Sequence, residues 1–240
     1  VAGCGIPVAK HGNKAVSSKS GAADVLSSLG IKLDCDMALV ERALAEANIT
    51  FLMAPRHHAA MRHVGPTRAA LGVRTIFNLL GPLSNPALVK RIMVGVFDQS
   101  YCASFAHVLA QLGATHAWVV HGADGLDEVS TTGKTHVAAL HNGSVTEFTI
   151  SPDDIGLRTA SLDQLRGGDG DHNARYLRAL LEGETGPYHD VVLFNAAAAL
   201  VAGGHAEDLQ QAATQAQEAI DSGKALAALD NLIAITNDKA

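Results

Sequence analysis

The chain has 240 residues, 48% hydrophobic but only 4% aromatic, with a formal net charge of −6 at pH 7. That length buries a sizeable core of Ala, Val, Leu and Ile, while the negative balance weighs against a nucleic-acid-binding face, which needs clustered excess Lys and Arg. No apolar run reaches membrane-spanning length and no secretory signal is visible; Cys4, Cys35 and Cys102 lack C-x-x-C spacing and read as reduced thiols of a cytoplasmic protein.

V-A-G-C-G at Val1 reads as the tail of a helix, so the sequence is expected to be the C-terminal part of a longer protein. Ile6 to Ala9 reads as a buried strand. The loop from Lys10 follows, then a helix with Ala23, Val25, Leu26 and Leu29, closed by Gly30. Asp36 caps a helix to about Ala47, with Ala38, Val40, Leu44 and Ala47 on its apolar side. Ile49 to Met53 is a second strand. Short helices are expected within P-R-H-H-A-A-M-R-H-V-G-P, residues 55–66, from Thr67 to Leu71 behind Pro66, and from Arg74 to Leu80, stopped by Gly81-Pro82.

Arg91 to Phe97 is apolar throughout, as in a central strand. Ser100 to Leu112 is an amphipathic helix, and Thr115 to Val120 another buried strand. A hairpin turns at Asn142-Gly143, with Thr135, Val137, Ala139 and Val145, Glu147, Thr149 as paired positions. Helices fill the last third: 173–181, 190–202, 206–221 and 224–236. Strands alternating with helices predict an α/β fold, a central mostly parallel sheet with helices on both faces and ligands at the strand ends.

Two stretches point to chemistry. K-H-G-N-K-A-V-S-S-K-S-G, from Lys10 to Gly21, gathers cations, hydroxyls and flexible backbone between a strand and a helix. Lys10, Ser17, Ser18 and Ser20, with the following helix dipole, suit a phosphate or diphosphate, and His11 can donate to an anion or a carbonyl. A plain solvated connection has the same composition. D-G-L-D-E, from Asp124 to Glu128, follows a buried strand and can turn Asp127 and Glu128 toward one Mg²⁺, or can simply be a turn. Arg68 can fork onto a carboxylate or form a surface ion pair. His57, His58 and His63 lack the carboxylate or Cys company of a metal site.

The order of these residues resembles a known family. K-H-G-N-K-A-V-S-S-K-S-G-A-A-D-V-L-S-S-L-G and R-T-I-F-N-L-L-G-P-L-S-N-P are similar to the anthranilate phosphoribosyltransferases, relatives of the nucleoside phosphorylases. The resemblance implies the large α/β domain of that fold over residues 1–240, without the family's small N-terminal helical domain and Gly-rich phosphate loop. It implies transfer of phosphoribose from phosphoribosyl diphosphate to anthranilate in a cytoplasmic, Mg²⁺-dependent homodimer of tryptophan biosynthesis. Lys10, His11, Gly12, Asn13, Lys14, Ala15, Val16, Ser17, Ser18 and Ala22 would bind phosphoribosyl diphosphate. Asn13, His11 and Arg68 would bind anthranilate, and Asp127 and Glu128 the Mg²⁺. No residue is assigned a catalytic role beyond positioning and electrostatics. Lys14 replaces the family's more usual Arg, and Ala22 stands where Ser is frequent. The rivals are a pyrimidine nucleoside phosphorylase, which lacks the R-T-I-F-N-L-L-G-P-L block, and a non-catalytic nucleic-acid-binding relative.

Overall fold

The computed structural model describes residues 1–14, 19–73 and 75–239, with the backbone alone at 68 and 69. The expected α/β class holds. Strands β1 (Val8–Gly12) and β2 (Ile49–Met53) form a parallel pair, and β3 (Arg91–Gly95), β4 (His116–Gly122), β5 (Thr135–His141) and β6 (Ser144–Ile150) form a four-stranded sheet in that order. β3 and β4 are parallel, while β5 and β6 are antiparallel to their neighbours.

Alternation along the strands explains why the four-stranded sheet is covered on both faces. Val94, Ala117, Val119, Ala138 and Leu140 pack with Phe105 and Leu109 of α6 (Cys102–Gln111). The intervening Trp118, Val120 and Val137 pack with Phe194 and Ala198 of α8 (Pro187–Ala202). A period of two sends successive side chains to opposite layers. Truncating the wholly buried Phe194 to Ala costs about 3–5 kcal/mol, the transfer energy plus a cavity. The β1–β2 pair is backed by a separate core around Leu39, Val40, Ala43 and Leu52, closed by Leu229 and Leu232 of α10 (Lys224–Asn237).

Local signals set most boundaries. Asp36 accepts the Ala38 N–H at 2.9 Å and starts α2 (Met37–Ala47). That helix buries Leu39, Val40, Ala43 and Ala47 but leaves Ala38 exposed, so its apolar face is turned slightly from the expected one. Asn142 (φ 48°) and Gly143 (φ 87°) adopt the left-handed pair of a type I′ turn. A two-residue loop pairs His141 with Ser144, so Val145, Glu147 and Thr149 face Leu140, Ala138 and His136, not the odd-numbered positions expected. β3 is a correction too: despite its apolar run it pairs with β4 alone among the described strands. Its free side borders a cleft, where Ile92 and Met93 remain half-buried.

Candidate active site

Between β1 and β3 lies a cleft of about 1480 Å³. Single-ligand pockets run to roughly 300–1,000 Å³, so this space accommodates two small molecules side by side. β1 and β3 line the cleft along their whole length, and Asn13, Ala54 and Pro55, just beyond the C-terminal ends of β1 and β2, reach it too; strand C-termini are where α/β folds gather ligand-binding groups. On one side stand Lys10, His11, Gly12 and Asn13; Asp127 and Glu128 also line it.

Lys10, His11 and Gly12 are strand residues, not loop residues as the sequence suggested. The apolar β2 residues Phe51, Leu52 and Met53 pair with them in register and extend β1 past Ala9. Gly12 sits close against its neighbours: a Cβ would lie 3.0 Å from the Phe51 ring, so the ring would have to shift slightly to admit one. Asn13 Oδ1 accepts the Lys14 N–H at 2.8 Å, and Asn13 O accepts the Ala23 N–H at 3.3 Å. Ala15, Val16, Ser17 and Ser18 lie outside the described residues.

The next helix, α1 (Ala22–Ser28), departs from what its sequence suggests. Gly21 is its N-cap, and Asp24 reaches back to accept the Gly21 N–H at 2.8 Å. The helix has only 7 residues and its first N–H groups are already engaged. Its dipole therefore adds little at the cleft. Ser20 instead donates to Gly168 O and accepts from Asn173 Nδ2 at 2.8 Å. The Gly-rich stretch before α7 (Gly170–Leu181) thus anchors Ser20, just ahead of α1, a role its sequence did not announce.

His58 was also missed as a site residue. The expected single helix from Pro55 breaks at His58 (φ −117°, ψ 60°), between α3 (Ala54–His57) and a 3-10 turn at Ala59–His63. This break sets His58 Nε2 3.1 Å from His11 Nε2, with the rings edge to face. One ring must donate and the other accept. Burial, then the nearby charges of His58, His57 and Lys10, lower the His11 pKa below its ordinary 6.5. His11 is therefore neutral near pH 7.

The acidic loop is built by Asp124. Its carboxylate accepts from Ser130 Oγ, Thr132 Oγ1 and the Leu126 N–H, and the Gly122 N–H donates to Leu126 O at 2.8 Å. Burial pushes the Asp124 pKa up, but these hydrogen bonds outweigh it and hold the carboxyl below its usual range. Asp124 is thus a scaffold within D-G-L-D-E, and Asp127 and Glu128 project beyond it. Glu128 opens onto the cleft yet is crowded by protein; lost hydration raises its pKa, the charge of Asp127 raises it further, and Lys10 partly opposes this. No ion pair among the described residues neutralises either carboxylate. Two adjacent, mutually repelling carboxylates fit a divalent cation that takes its remaining ligands from substrate oxygens and water. No group of three or more His, Cys, Asp or Glu that could hold a metal unaided occurs among the described residues.

Arg68 lies in α4 (Gly65–Leu71), whose first residue lines the cleft; its side chain is outside the described residues. Arg74 lies outside them too, and the helix expected from it is α5 (Ile76–Leu80), capped by Asn78 Oδ1 on the Thr75 N–H at 2.9 Å. The following L-S-N-P turn is tied to β1, because Asn85 Nδ2 donates to Ala9 O at 3.0 Å.

The model of the glycosyl transferase family, a/b domain, matches residues 1–226. An anthranilate phosphoribosyltransferase of Azospirillum brasilense is 58% identical over 237 residues, covering 99% of this chain and 66% of that protein. The crystal structure of the Thermus thermophilus enzyme superposes with a TM-score of 0.92 at 41% identity, over 99% of this chain and 70% of that one. The Saccharomyces cerevisiae enzyme in complex with PRPP and Mg superposes with a TM-score of 0.88 at 31% identity, over 98% of this chain and 67% of that one. The chain spans about two thirds of the length of the relatives it matches.

Proposed function

On the footing that the chain belongs to the glycosyl transferase family and, within it, to the anthranilate phosphoribosyltransferases, we propose that it transfers phosphoribose from phosphoribosyl diphosphate to anthranilate in tryptophan biosynthesis. In this reading residues 1–240 form the large domain that holds both substrates. The observation that carries it is the single cleft lined by Lys10, His11 and Asn13 together with Asp127 and Glu128.

The bond from ribose C1 to the diphosphate oxygen breaks, the anthranilate nitrogen bonds to C1, and that nitrogen sheds one proton. An aryl amine is neutral near pH 7, so the reaction needs no strong general base. The protein acts by aligning the reactants and by answering the negative charge that grows on diphosphate. Lys10 offers a point charge, with Ser17 and Ser18 as hydroxyl donors and Gly12 to Val16 and Ala22 assigned to the same ligand. When bound, Mg²⁺ supplies further charge neutralisation for diphosphate, and Asp127 and Glu128 hold it. Arg68 forks onto the anthranilate carboxylate. Asn13 and the neutral His11, steadied by His58, flank the same acceptor. A cytoplasmic homodimer belongs to this reading; no helix among the described residues is long and apolar enough to cross a membrane.

Anthranilate fluorescence tests it. The signal falls when phosphoribosyl diphosphate and Mg²⁺ are both supplied, and stays level when either is omitted. Unchanged fluorescence with both present, or phosphorolysis of an added pyrimidine nucleoside, contradicts it.

A further inference from the structure

From Val191 to Ala202, helix α8 carries one polar side chain, Asn195, in a run otherwise made of Val, Leu, Phe and Ala. An amide in that run forfeits hydration and helix propensity, so its hydrogen bonds must compensate. All of them are visible. Asn195 Oδ1 accepts the Val129 N–H at 3.0 Å, and Asn195 Nδ2 donates to Val129 O at 2.6 Å. Nδ2 also donates to Val191 O at 2.9 Å, one turn back, which fixes the side-chain rotamer. The amide therefore grips both backbone groups of one residue, as a neighbouring strand would.

That residue directly follows Glu128. Its side chain is wholly buried with Trp118, Val120 and Phe194, so the Val129 backbone sits where unpaired polar groups are costly. The clamp fixes the chain on the C-terminal side of the acidic pair, as Asp124 and Gly122 fix it on the other. Burial, and then the charge of Glu128, raise the pKa of Tyr188 in the first turn of α8, so the start of this helix lies near Glu128.

We propose that Asn195 is a positioning residue for the metal-binding carboxylates: by holding Val129 at two points it sets where Asp127 and Glu128 point into the cleft. This rests on the reading of Asp127 and Glu128 as the cation-binding pair. Groups that orient ligands from behind alter metal affinity roughly 10- to 100-fold when removed.

The test uses the 240-residue chain with Mn²⁺ as probe and inorganic diphosphate present, free Mn²⁺ being read by electron paramagnetic resonance. Asn195→Ala is expected to weaken Mn²⁺ binding by about tenfold or more while circular dichroism shows it folded. Leu232→Ala, which truncates the remote core behind α2, is the control for general loss of stability and should bind Mn²⁺ like wild type. If Asn195→Ala does not fold, Asn195→Gln decides: its amide, one methylene farther out, cannot meet both groups of Val129, and binding should weaken. Wild-type affinity in the folded Asn195 variant, with Asp127→Asn/Glu128→Gln impaired, overturns the clamp alone. Wild-type affinity in Asp127→Asn/Glu128→Gln overturns the acidic-pair reading and the inference with it.

Discussion

Gly95 and Asp127 share one piece of space: a Cβ on Gly95 would lie 1.5 Å from the Asp127 carbonyl oxygen and 2.4 Å from its carbonyl carbon. The end of β3 is therefore glycine so that the backbone of the acidic loop can cross it. Both contacts are to backbone, so no side-chain rotation relieves them. Gly95→Ala must displace either β3 or Asp127. Overpacking of this kind costs about 1–3 kcal/mol. The variant should lose that much stability in a denaturant titration, and its Mg²⁺ requirement should rise. Gly133→Ala, where nothing lies within 4 Å, should change neither. A Gly95→Ala protein with wild-type Mg²⁺ response would separate the strand end from the acidic loop.

The acidic pair should weaken the metal-free protein. The Glu128 pKa is raised above 4.5 by the hydration it loses to the surrounding protein, although its side chain stays open to the cleft, and by Asp127, so the folded state binds its proton more tightly than the unfolded chain does. Stability from this group is complete below pH 4.5 and is lost as pH rises through the raised value. Glu128→Gln, uncharged at every pH, should melt higher than wild type at neutral pH without Mg²⁺. The gain should vanish below pH 4.5. Thermal unfolding against pH reads this directly, and a variant no more stable than wild type at neutral pH contradicts it.

His58 should hold down the basicity of His11. Burial is the larger cause and the neighbouring ring the next. In His58→Ala both are relieved, so the His11 pKa, followed by NMR of its ring protons, should move up toward 6.5. Anthranilate binding should weaken in the same variant, because His11 loses the partner 3.1 Å from its Nε2. An unmoved titration curve would show that the ring contact has no electrostatic effect.

Arg68→Lys keeps a cation but loses the planar fork. A charge-assisted contact of this kind contributes about 1.5–3 kcal/mol. The anthranilate constant should rise accordingly while that for phosphoribosyl diphosphate stays nearly level. An unchanged anthranilate constant removes Arg68 from the acceptor site.

Much of this was legible in the sequence because local chemistry controlled it. Asp36 as a cap, Asn142-Gly143 as a turn and Gly30 (φ 93°) beyond the end of α1 are decided within a few residues. The acidic pair was legible as two neighbouring carboxylates after a buried strand. What escaped depends on partners distant in sequence. β1 runs on through Lys10 and His11 because β2 offers them a ladder. His58 matters through a ring 47 residues away, and Asn195 through a backbone 66 residues away. Each lies in a segment that reads as ordinary helix, and no spacing rule marks them.

The central claim is that one cleft takes phosphoribosyl diphosphate between the β1 terminus and a cation held by Asp127 and Glu128. Calorimetric titration of phosphoribosyl diphosphate, with and without Mg²⁺, tests it most directly. The account predicts Mg²⁺-dependent binding to the wild-type chain, weakened in Lys10→Ala and stripped of its Mg²⁺ dependence in Asp127→Asn/Glu128→Gln. Equal binding in all three proteins, or wild-type binding indifferent to Mg²⁺, would contradict it.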